Sequence, residues 1–579
     1  MCGCCCCPFV VIALYVAIRK HLLSRGEEQQ EETTAMTAEE ETPGEQSHLL
    51  KHSASSPVSA HSAGNSSHGS IRRLEEKVPL YANPKQRQRW DDVQMLPHVN
   101  WGDLYFDLFY VAAAYQLSHA FKDCPTWEGV LYFCSSYLPI LLIWNEKLVY
   151  DARFCPDDNL FHRSLEVIHL CVVGLIVSCI QPAEIMKDTA NNPTMTIFTG
   201  AYLVNNVLQA WVLWDLRRNV IGGPEAKACA LHELYRKQVG AILTAVAFII
   251  SAKDYYFTVT NEQKAASYAE EEEEGNYLPA CLLVLGFVTE NMFFPMLHQT
   301  YIIRRGISHK EVYVPINLEF TIHRIGEWVM LMLGESVLSI LTIPQSKSTT
   351  TFSYSVAFFA GILTVTMFQY LFFRTQPAEA KDHAMRRSQS GGYMYFYSHM
   401  FYSASLILVG CSYKMMLSEQ EMLDQAEEEQ VDYDIRERIA LVYAWAQFGC
   451  FIALDLVTMS HRGVKANFRR FLVEHNDGVA RWAKVPLMIC MLDIVLIVLT
   501  LNLRRVHDLT MLSLAGCLLV FGQVILRTIG LKYFPVTIDQ MQRAIHPDDY
   551  CSLGSGGKDG EDHRRWPNVT EPTSAPSHK

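Results

Sequence analysis

The residues with the clearest capacity for chemistry are charged side chains that stand inside apolar stretches of the sequence. Glu335 follows the run Met330-Leu-Met-Leu-Gly334 and precedes a second apolar run. A carboxylate at such a position in a membrane costs about 2.5–3.5 kcal/mol or more, so it must be protonated, paired or hydrated. This pattern is typical of a proton or cation carrier. The alternative that stays open is a protonated carboxyl that joins two helices by a hydrogen bond.

Glu335 shares one helical stripe with Arg324, because eleven residues are close to three helical turns. The two side chains are about 16 Å apart along the helix axis at 1.5 Å per residue, so they cannot form an ion pair. We expect Arg324 at the cytosolic rim, where it forms a salt bridge or attracts anions. We expect Gly334, beside the carboxyl, to let another helix backbone approach closely.

A second polar group begins an earlier apolar stretch. Asp103 and Asp107 are four residues apart and share a helix face, whereas Gln116 and His119 lie on another face. Asp107 is either a helix cap that interacts with the helix dipole or a functional gate. His119 is either a hydrogen-bonded packing residue or a ligand. Polar residues on two faces predict polar neighbours on both sides of this helix.

Other candidate transport or binding residues also lie within or beside apolar stretches. They are Arg153, Asp158, Glu290, His323, Glu327, Ser336, His399 and Asp493. So many ionisable groups favour a hydrated cavity over a purely structural bundle. The sequence has no His-x-Glu-x-His cluster, glycine-rich phosphate loop or Ser-His-Asp order. We therefore predict no catalytic residue, no metal and no cofactor.

The elements that position these residues are predicted from hydropathy. The 579 residues are 50% hydrophobic and only 19% charged, and the apolar residues are concentrated in long runs. Runs of this length cross a bilayer as helices, which excludes an ordinary soluble enzyme. The net charge of −12 argues against nucleic-acid binding. We predict an all-α polytopic membrane protein with about twelve spans: 104–121, 128–149, 164–181, 195–214, 237–252, 278–297, 325–343, 352–373, 393–413, 439–459, 485–503 and 509–528.

The distribution of basic residues predicts the orientation of these spans. Loops on the same side as the N-terminus carry most of the Lys and Arg, as cytoplasmic loops do. An even number of spans then places both termini in the cytosol, in the plasma membrane or an endomembrane. The sequons at Asn65 and Asn568 should remain unglycosylated.

Composition divides the chain into four parts. Residues 1–21 are Cys-rich, 22–100 and 533–579 read as disordered cytosolic tails, and 101–532 is the transmembrane domain. The first part has cysteines beside a short apolar run, at Cys2, Cys4, Cys5, Cys6 and Cys7. They are candidates for S-palmitoylation, and the alternative is a short membrane-dipping helix with unmodified thiols.

Three motifs in order resemble the bacterial low temperature requirement A (LtrA) family. They are Trp101-Gly-Asp-Leu-Tyr-Phe-Asp-Leu with a later Ala-Tyr-Gln-Leu, Arg153-Phe154 with Asp157-Asp158, and Arg324 with Leu333-Gly-Glu-Ser336. The resemblance extends across most of 97–528. It differs where the family has Glu before the arginine, since this sequence has His323, with Glu319 and Glu327 one turn away. The long tails suggest a eukaryotic member. The resemblance implies an integral membrane protein and leaves its activity open.

Short patterns that recur in the two halves of the chain predict a parallel 6+6 pseudo-repeat. Our preferred function is a secondary transporter of a small solute or ion, coupled to protons or cations. The alternatives are an intramembrane enzyme that acts on a lipid or isoprenoid, or a channel or receptor. The expected partners are the lipid bilayer and an unidentified small solute or ion, without nucleic acid, and a homo-oligomer is compatible with the sequence.

Overall fold

The structure is a computed structural model, and it describes residues 79–89, 101–155, 159–181, 193–265, 276–343, 352–377, 383–387, 389–425, 433–462 and 480–533. The chain divides into Met1–Leu80 and Tyr81–Lys579, and only residues 79 and 80 of the first unit are described. The predictions for the five N-terminal cysteines, both sequons, Asp158 and nearly all of the two tails lie outside the described residues.

The described part of the second unit is almost entirely helical, with twelve helices of 19 or more residues. They are α1 (Trp101–Asp123), α2 (Trp127–Arg153), α3 (Leu160–Ser178), α4 (Thr194–Asn219), α5 (Pro224–Ala265), α6 (Leu278–Arg305), α7 (Leu318–Leu341), α8 (Phe352–Thr375), α9 (Gln389–Gln425), α10 (Tyr433–Arg462), α11 (Ala480–Asn502) and α12 (Leu509–Tyr533). Each predicted span overlaps one of these helices, but α5 extends 13 residues beyond its predicted span 237–252 at each end, and α9 extends 12 residues beyond the end of 393–413.

Eight of the described helices are long and apolar enough to cross a membrane: α2, α3, α5, α6, α8, α9, α10 and α12. The other four, α1, α4, α7 and α11, do not combine the same length, hydropathy and low charge. The helical content and the eight apolar helices are those of an all-α membrane protein. The helices that carry the first and third LtrA-like motifs, α1 and α7, are not among the eight.

Local sequence determines where several helices begin and end. Asn159 and Asn317 cap α3 and α7, and each side-chain oxygen accepts a hydrogen bond from a backbone N–H of the first turn, at 2.9 and 3.0 Å. Gly306 ends α6 in the left-handed conformation, with φ of 63°. Within α6, Thr289–Phe293 forms one π-helical turn. Such turns rotate the residues that follow them and are frequent at functional sites.

A short extended segment before α1 lies against the helical domain. Lys85–Gln86 pairs antiparallel with Phe154–Cys155, which follows α2 directly. The Arg87 N–H donates to the Arg153 carbonyl at 2.9 Å, and the Ile221 N–H donates to the Pro84 carbonyl at 2.9 Å. Residues 81–89 of the predicted 22–100 tail are therefore ordered on the ends of α2 and α4.

The motif-bearing helices meet at the centre of the main core. α1, α7 and α9 pack against one another, and α2 packs against both α1 and α7. Trp144 on α2 and Trp328 on α7 are both 1% exposed, with ring centroids 4.5 Å apart. These large rings hold α2 and α7 at a fixed separation, so charged residues on neighbouring turns reach each other across the interface.

Candidate functional site

The first and third of the three sequence motifs meet in a buried ion pair between α1 and α7. Arg324 Nη1 and Nη2 donate to the two carboxylate oxygens of Asp107 at 2.7 and 2.9 Å. Trp144 Nε1 donates to the same carboxylate at 3.2 Å, and Asp107 is 1% exposed. Two parallel N–H···O bonds give the most directional form of a salt bridge. Sequence analysis predicted that Asp107 is a helix cap or a gate, and it did not predict Arg324 as its partner.

Glu327 extends the ion pair towards the surface. Its carboxylate accepts from Arg324 Nη1 at 2.6 Å and lies 3.1 Å from His323 Nε2. The His323 side chain is half exposed. One arginine thus faces two carboxylates, and the His323 ring adjoins the outer one. We refer to Asp107, Arg324, Glu327 and His323 as the motif centre.

A cavity of about 460 Å³ adjoins the motif centre. Its polar lining comes from Asp107, His323 and Glu327, together with Gln376 and Tyr395. The rest of the wall is apolar and comes from α1, α7 and α8. A largely apolar pocket with a few convergent polar groups has the general form of a small-molecule site.

Glu335 lies almost three turns further along α7 and is fully buried. Ser339 Oγ donates to its Oε1 at 2.5 Å, and Ser118 Oγ on α1 lies 3.1 Å from the Ser339 Oγ. The other carboxylate oxygen, Oε2, is buried without a hydrogen-bond partner. Glu335 does not line the cavity described above.

Lys414 on α9 is the charged residue of opposite sign that acts on Glu335. Its side chain is 7% exposed, and its Nζ is buried without a hydrogen-bond partner. The Nζ lies 4.6 Å from the centre of the Tyr115 ring on α1, a cation–π contact. Nearby, Cys411 Sγ donates to the Ser118 carbonyl at 3.2 Å. We refer to Glu335, Ser339, Ser118, Lys414 and Cys411 as the central site.

The close approach beside this site involves a different glycine from the one predicted. A Cβ added at Gly334 would have no atom within 4 Å, so the prediction for Gly334 is wrong. A Cβ added at Gly410 on α9 would lie 2.7 Å from the Ser336 Cα on α7. Ser336 also donates to the Leu406 carbonyl of α9 at 3.0 Å. Sequence alone could not choose between the glycines, because the choice depends on how α7 and α9 are rotated.

A separate charged cluster joins α2, α5 and α6. Glu233 accepts from Arg153 at 2.8 Å and from Arg236 at 2.7 Å. Glu290, in the π-helical turn, is 1% exposed and lies 4.0 Å from Arg236 and 3.7 Å from Lys237. Arg153 and Glu290 thus belong to one network, apart from the motif centre.

The remaining predicted site residues are dispersed. Gln116 is exposed, and His119 is half exposed and lies 3.3 Å from Asp123. His399 is fully buried, and neither ring nitrogen has a hydrogen-bond partner. Asp493 on α11 accepts from Gln523 on α12 at 2.7 Å. The Asp103 side chain lies outside the described residues.

His383 lies between α8 and α9, outside the spans, and its electrostatics follow from burial. The side chain is fully buried, and burial lowers the pKa of His383 to about 3 because the charged ring would lose its hydration. Its Nδ1 accepts from the Met385 N–H at 3.3 Å, whereas Nε2 has no partner. The neutral ring is therefore the form that fits this site.

Sequence analysis missed five ionisable residues that the structure brings into these groups: Glu233, Arg236, Lys237 and its partner Glu146 in the charged cluster, and Lys414 in the central site. Glu146 lay within the predicted span 128–149 and was passed over. Lys237 began the span 237–252, and Lys414 followed the span 393–413 by one residue. A charge at the edge of an apolar run, with apolar residues continuing beyond it, was the available signal. Within the described residues, no three His, Cys, Asp or Glu side chains are placed to hold a metal ion.

The helical content of the described residues and the eight apolar helices are those of an all-α membrane protein. The family model described as bacterial low temperature requirement A protein (LtrA) matches residues 98–521, so the chain belongs to the LtrA family. The matched residues include the motif centre and the central site. No curated protein and no solved structure matches the chain.

Proposed function

We propose that this protein is a secondary transporter of a small solute or ion, coupled to protons or cations, with its binding site at Glu335 and Lys414. The observation that carries the proposal is the incomplete bonding of both residues. A carboxylate oxygen and an ammonium group are buried in one interior without hydrogen-bond partners. A purely structural polar link would use its polar atoms fully, because an unpaired buried group is costly. Water, an ion or a polar solute group can complete this site.

The location of the central site supports the same proposal. It lies where α1, α7 and α9 pack together, and charged residues buried within membrane helices commonly mark substrate or ion pathways. The cavity at the motif centre opens on the same helices and ends before Glu335. In the proposed cycle the present structure is an occluded state, in which the cavity and the central site are not connected.

The proposed topology has all twelve helices crossing the membrane with both termini in the cytosol, as a parallel 6+6 arrangement. α1 and α7 are included although they are not among the eight apolar helices, because Asp107 on α1 and Arg324 on α7 pair with each other within the bundle. Epitope tags at the two termini should be accessible in cells only after the plasma membrane is permeabilised, whether the protein lies in the plasma membrane or in an endomembrane. A terminal tag that is labelled on intact cells would contradict this orientation.

The test is flux into reconstituted vesicles under an imposed pH or cation gradient, screened over small solutes. Wild-type protein should transport at least one solute, and the Glu335→Gln variant should lose the dependence on the gradient. Glu166→Gln is the matched control, because Glu166 is a half-exposed carboxylate on α3 that belongs to neither central group. Product formation in detergent without a sealed compartment, or gradient-dependent flux that is the same in Glu335→Gln, would contradict the proposal.

A further inference from the structure

The cavity beside the motif centre changes from polar to apolar along α7. Its wall on this helix begins with His323 and Glu327 and ends with Met330 and Leu331. His323 and Leu331 are about 12 Å apart along the helix axis at 1.5 Å per residue. Phe373 on α8 adds to the apolar wall. A ligand in the cavity therefore meets charged groups at one end and only apolar groups at the other.

The cavity opens to the outer surface of the helices. Leu104 on α1, Met330 on α7 and Phe373 on α8 line it and are 43%, 42% and 42% exposed. In the proposed topology such exposed apolar side chains face lipid. Glu327 lies within the first ten residues of α7, so the polar end is near one membrane surface. The polarity of the cavity therefore follows that of a lipid leaflet, with a polar surface and an apolar interior.

The polar end of the cavity presents negative charge. The carboxylates of Asp107 and Glu327 belong to its wall, whereas Arg324, which donates to both, does not. Among the described residues that line the cavity, none is a lysine or an arginine. One arginine balances one of the two carboxylates, so one negative charge remains when the half-exposed His323 ring is neutral. A cationic head group complements this charge, and an anionic one is repelled by it.

Aromatic groups in the wall suit the same kind of head group. Phe372, Phe373 and Tyr395 all line the cavity, and the faces of aromatic rings attract ammonium groups. The Tyr395 hydroxyl donates to Gln376 Oε1 at 3.3 Å, and its oxygen can accept a hydrogen bond from an amine. The uncharged part of the wall therefore favours a cation as the charged part does.

We propose that this cavity binds a membrane amphiphile with a cationic amine head and a single alkyl chain. The amine lies against the carboxylates of Asp107 and Glu327, and the chain follows Met330 and Leu331 towards the membrane interior. The volume of about 460 Å³ is within the range of sites that hold one small molecule. This site is separate from Glu335 and Lys414, so binding there stands or falls independently of the proposed transport.

The test uses purified protein in nanodiscs of phosphatidylcholine, a lipid without net charge. The probe is decylamine with a photoreactive diazirine at the end of its chain, which is protonated at pH 7 as a lysine side chain is. Illumination should attach the probe to peptides that contain Met330 or Phe373, as identified by mass spectrometry. Attachment only to peptides outside the cavity would overturn the proposal.

Competition by three unlabelled compounds tests the charge of the head group without any substitution. Decylamine, decanol and decanoate have the same chain length and are compared at equal concentration in the membrane. Decylamine should displace the probe at a concentration at least about fivefold lower than decanol, the effect of one partly exposed charge pair. Decanoate should be weaker than decanol. Equal competition by the three compounds would overturn the proposal.

A charge substitution identifies the group that selects the amine. Glu327→Gln leaves the Asp107–Arg324 pair balanced, so decylamine should lose its advantage over decanol, while competition by decanol should not change. The matched control is Glu166→Gln, which removes a half-exposed carboxylate outside the cavity and should keep the advantage. An amine preference that persists in Glu327→Gln would overturn the assigned position of the head group.

A second substitution tests the position of the chain. Met330→Trp places a larger side chain in the apolar wall, so attachment of the probe to the peptide that contains Phe373 should decrease. Met296→Trp on α6 is the control, because Met296 is 57% exposed and does not line the cavity. Attachment that is unchanged in Met330→Trp, or that decreases equally in both variants, would contradict the proposed site.

Discussion

The two ends of α7 hold their buried charges in different ways. At the beginning of the helix, Arg324 bonds to two carboxylates, and one of these also accepts from Trp144. Further along, Glu335 accepts one short hydrogen bond from Ser339 and has one oxygen without a partner. In the first group the buried charges have hydrogen-bond partners, whereas in the second one buried carboxylate oxygen has none.

We infer from this difference that the Arg324 end of α7 is a structural contact and that the Glu335 end is a binding site. A fully bonded ion pair fixes α1 against α7, and it is costly to break because either charge would be left alone. An incompletely bonded carboxylate keeps the capacity to bind a further group. Substitutions should therefore affect stability most at the motif centre and transport most at the central site.

The largest expected effect on stability is at Arg324. Arg324→Ala leaves the Asp107 carboxylate buried without its cation, which should lower the free energy of unfolding by about 3–5 kcal/mol. Unfolding of the purified protein in detergent measures this. Arg324→Lys is the control, and it should recover only part of the loss because lysine cannot form the two parallel bonds. A loss below about 1 kcal/mol, as at an exposed pair, would remove the distinction between the two ends of α7.

A second kind of incomplete bonding, the buried Nε2 of His383 without a hydrogen-bond partner, predicts how stability depends on pH. The pKa of His383 is lowered to about 3 by burial, compared with 6.5 for an exposed ring. The folded state therefore binds fewer protons than the unfolded state, and its stability is full above pH 6.5 and is lost as the pH falls towards 3. The loss attributable to His383 should reach up to about 1.4 kcal/mol per pH unit in that window.

Unfolding measured from pH 7 to pH 4.5 checks this expectation. His383→Gln should show a shallower loss of stability on acidification than wild type. The matched control is His507→Gln, since His507 is exposed and its removal should leave the slope unchanged. Equal slopes in wild type and His383→Gln would show that the ring is hydrated or paired in the folded protein.

The close contact between α7 and α9 predicts an intermediate effect. Gly410→Ala adds a Cβ at 2.7 Å from the Ser336 Cα, so the helices must move apart, at a cost of about 1–3 kcal/mol. The matched control is Gly334→Ala on α7, where the added Cβ would have no atom within 4 Å. A melting temperature equally lowered by both substitutions would contradict the assigned rotation of the two helices.

The smallest expected effect is at the surface end of the motif centre. Glu327→Gln removes the outer carboxylate, whose side chain is 28% exposed, and leaves the Asp107–Arg324 pair intact. Its effect on the free energy of unfolding should be about 0–1 kcal/mol and should shrink further at high salt. An effect as large as that of Arg324→Ala would mean that the three charges act as one unit.

The helices were predictable from the sequence because long apolar runs are a local signal. Predicted spans such as 104–121 and 352–373 lie within α1 and α8, whereas the long extensions of α5 and α9 beyond their predicted spans were missed because their sequences are polar. The pairing of Lys85–Gln86 with Phe154–Cys155 was not predictable, because two-residue strands show no alternation. The π-helical turn at Thr289–Phe293 also has no hydropathy signal.

The candidate site was predictable in its members but not in its contacts. Glu335, Arg324 and Asp107 are recognisable as charges within apolar stretches. Their partners depend on packing, since Asp107 and Arg324 are 217 residues apart in the chain. Lys414 belongs to the central site only because α9 presents that face to α7, which a single sequence does not specify.

Whether the central site ever opens to water can be measured at Cys411, a fully buried thiol that donates to the Ser118 carbonyl. The measurement uses protein in which Cys411 is kept and the other 16 of the 17 cysteines are replaced. In sealed vesicles under an imposed gradient, a membrane-impermeant maleimide should label Cys411, and Glu335→Gln should change the rate. No labelling under any gradient before the protein unfolds would mean that Glu335 and Lys414 are sealed in a rigid interior, which would contradict the account.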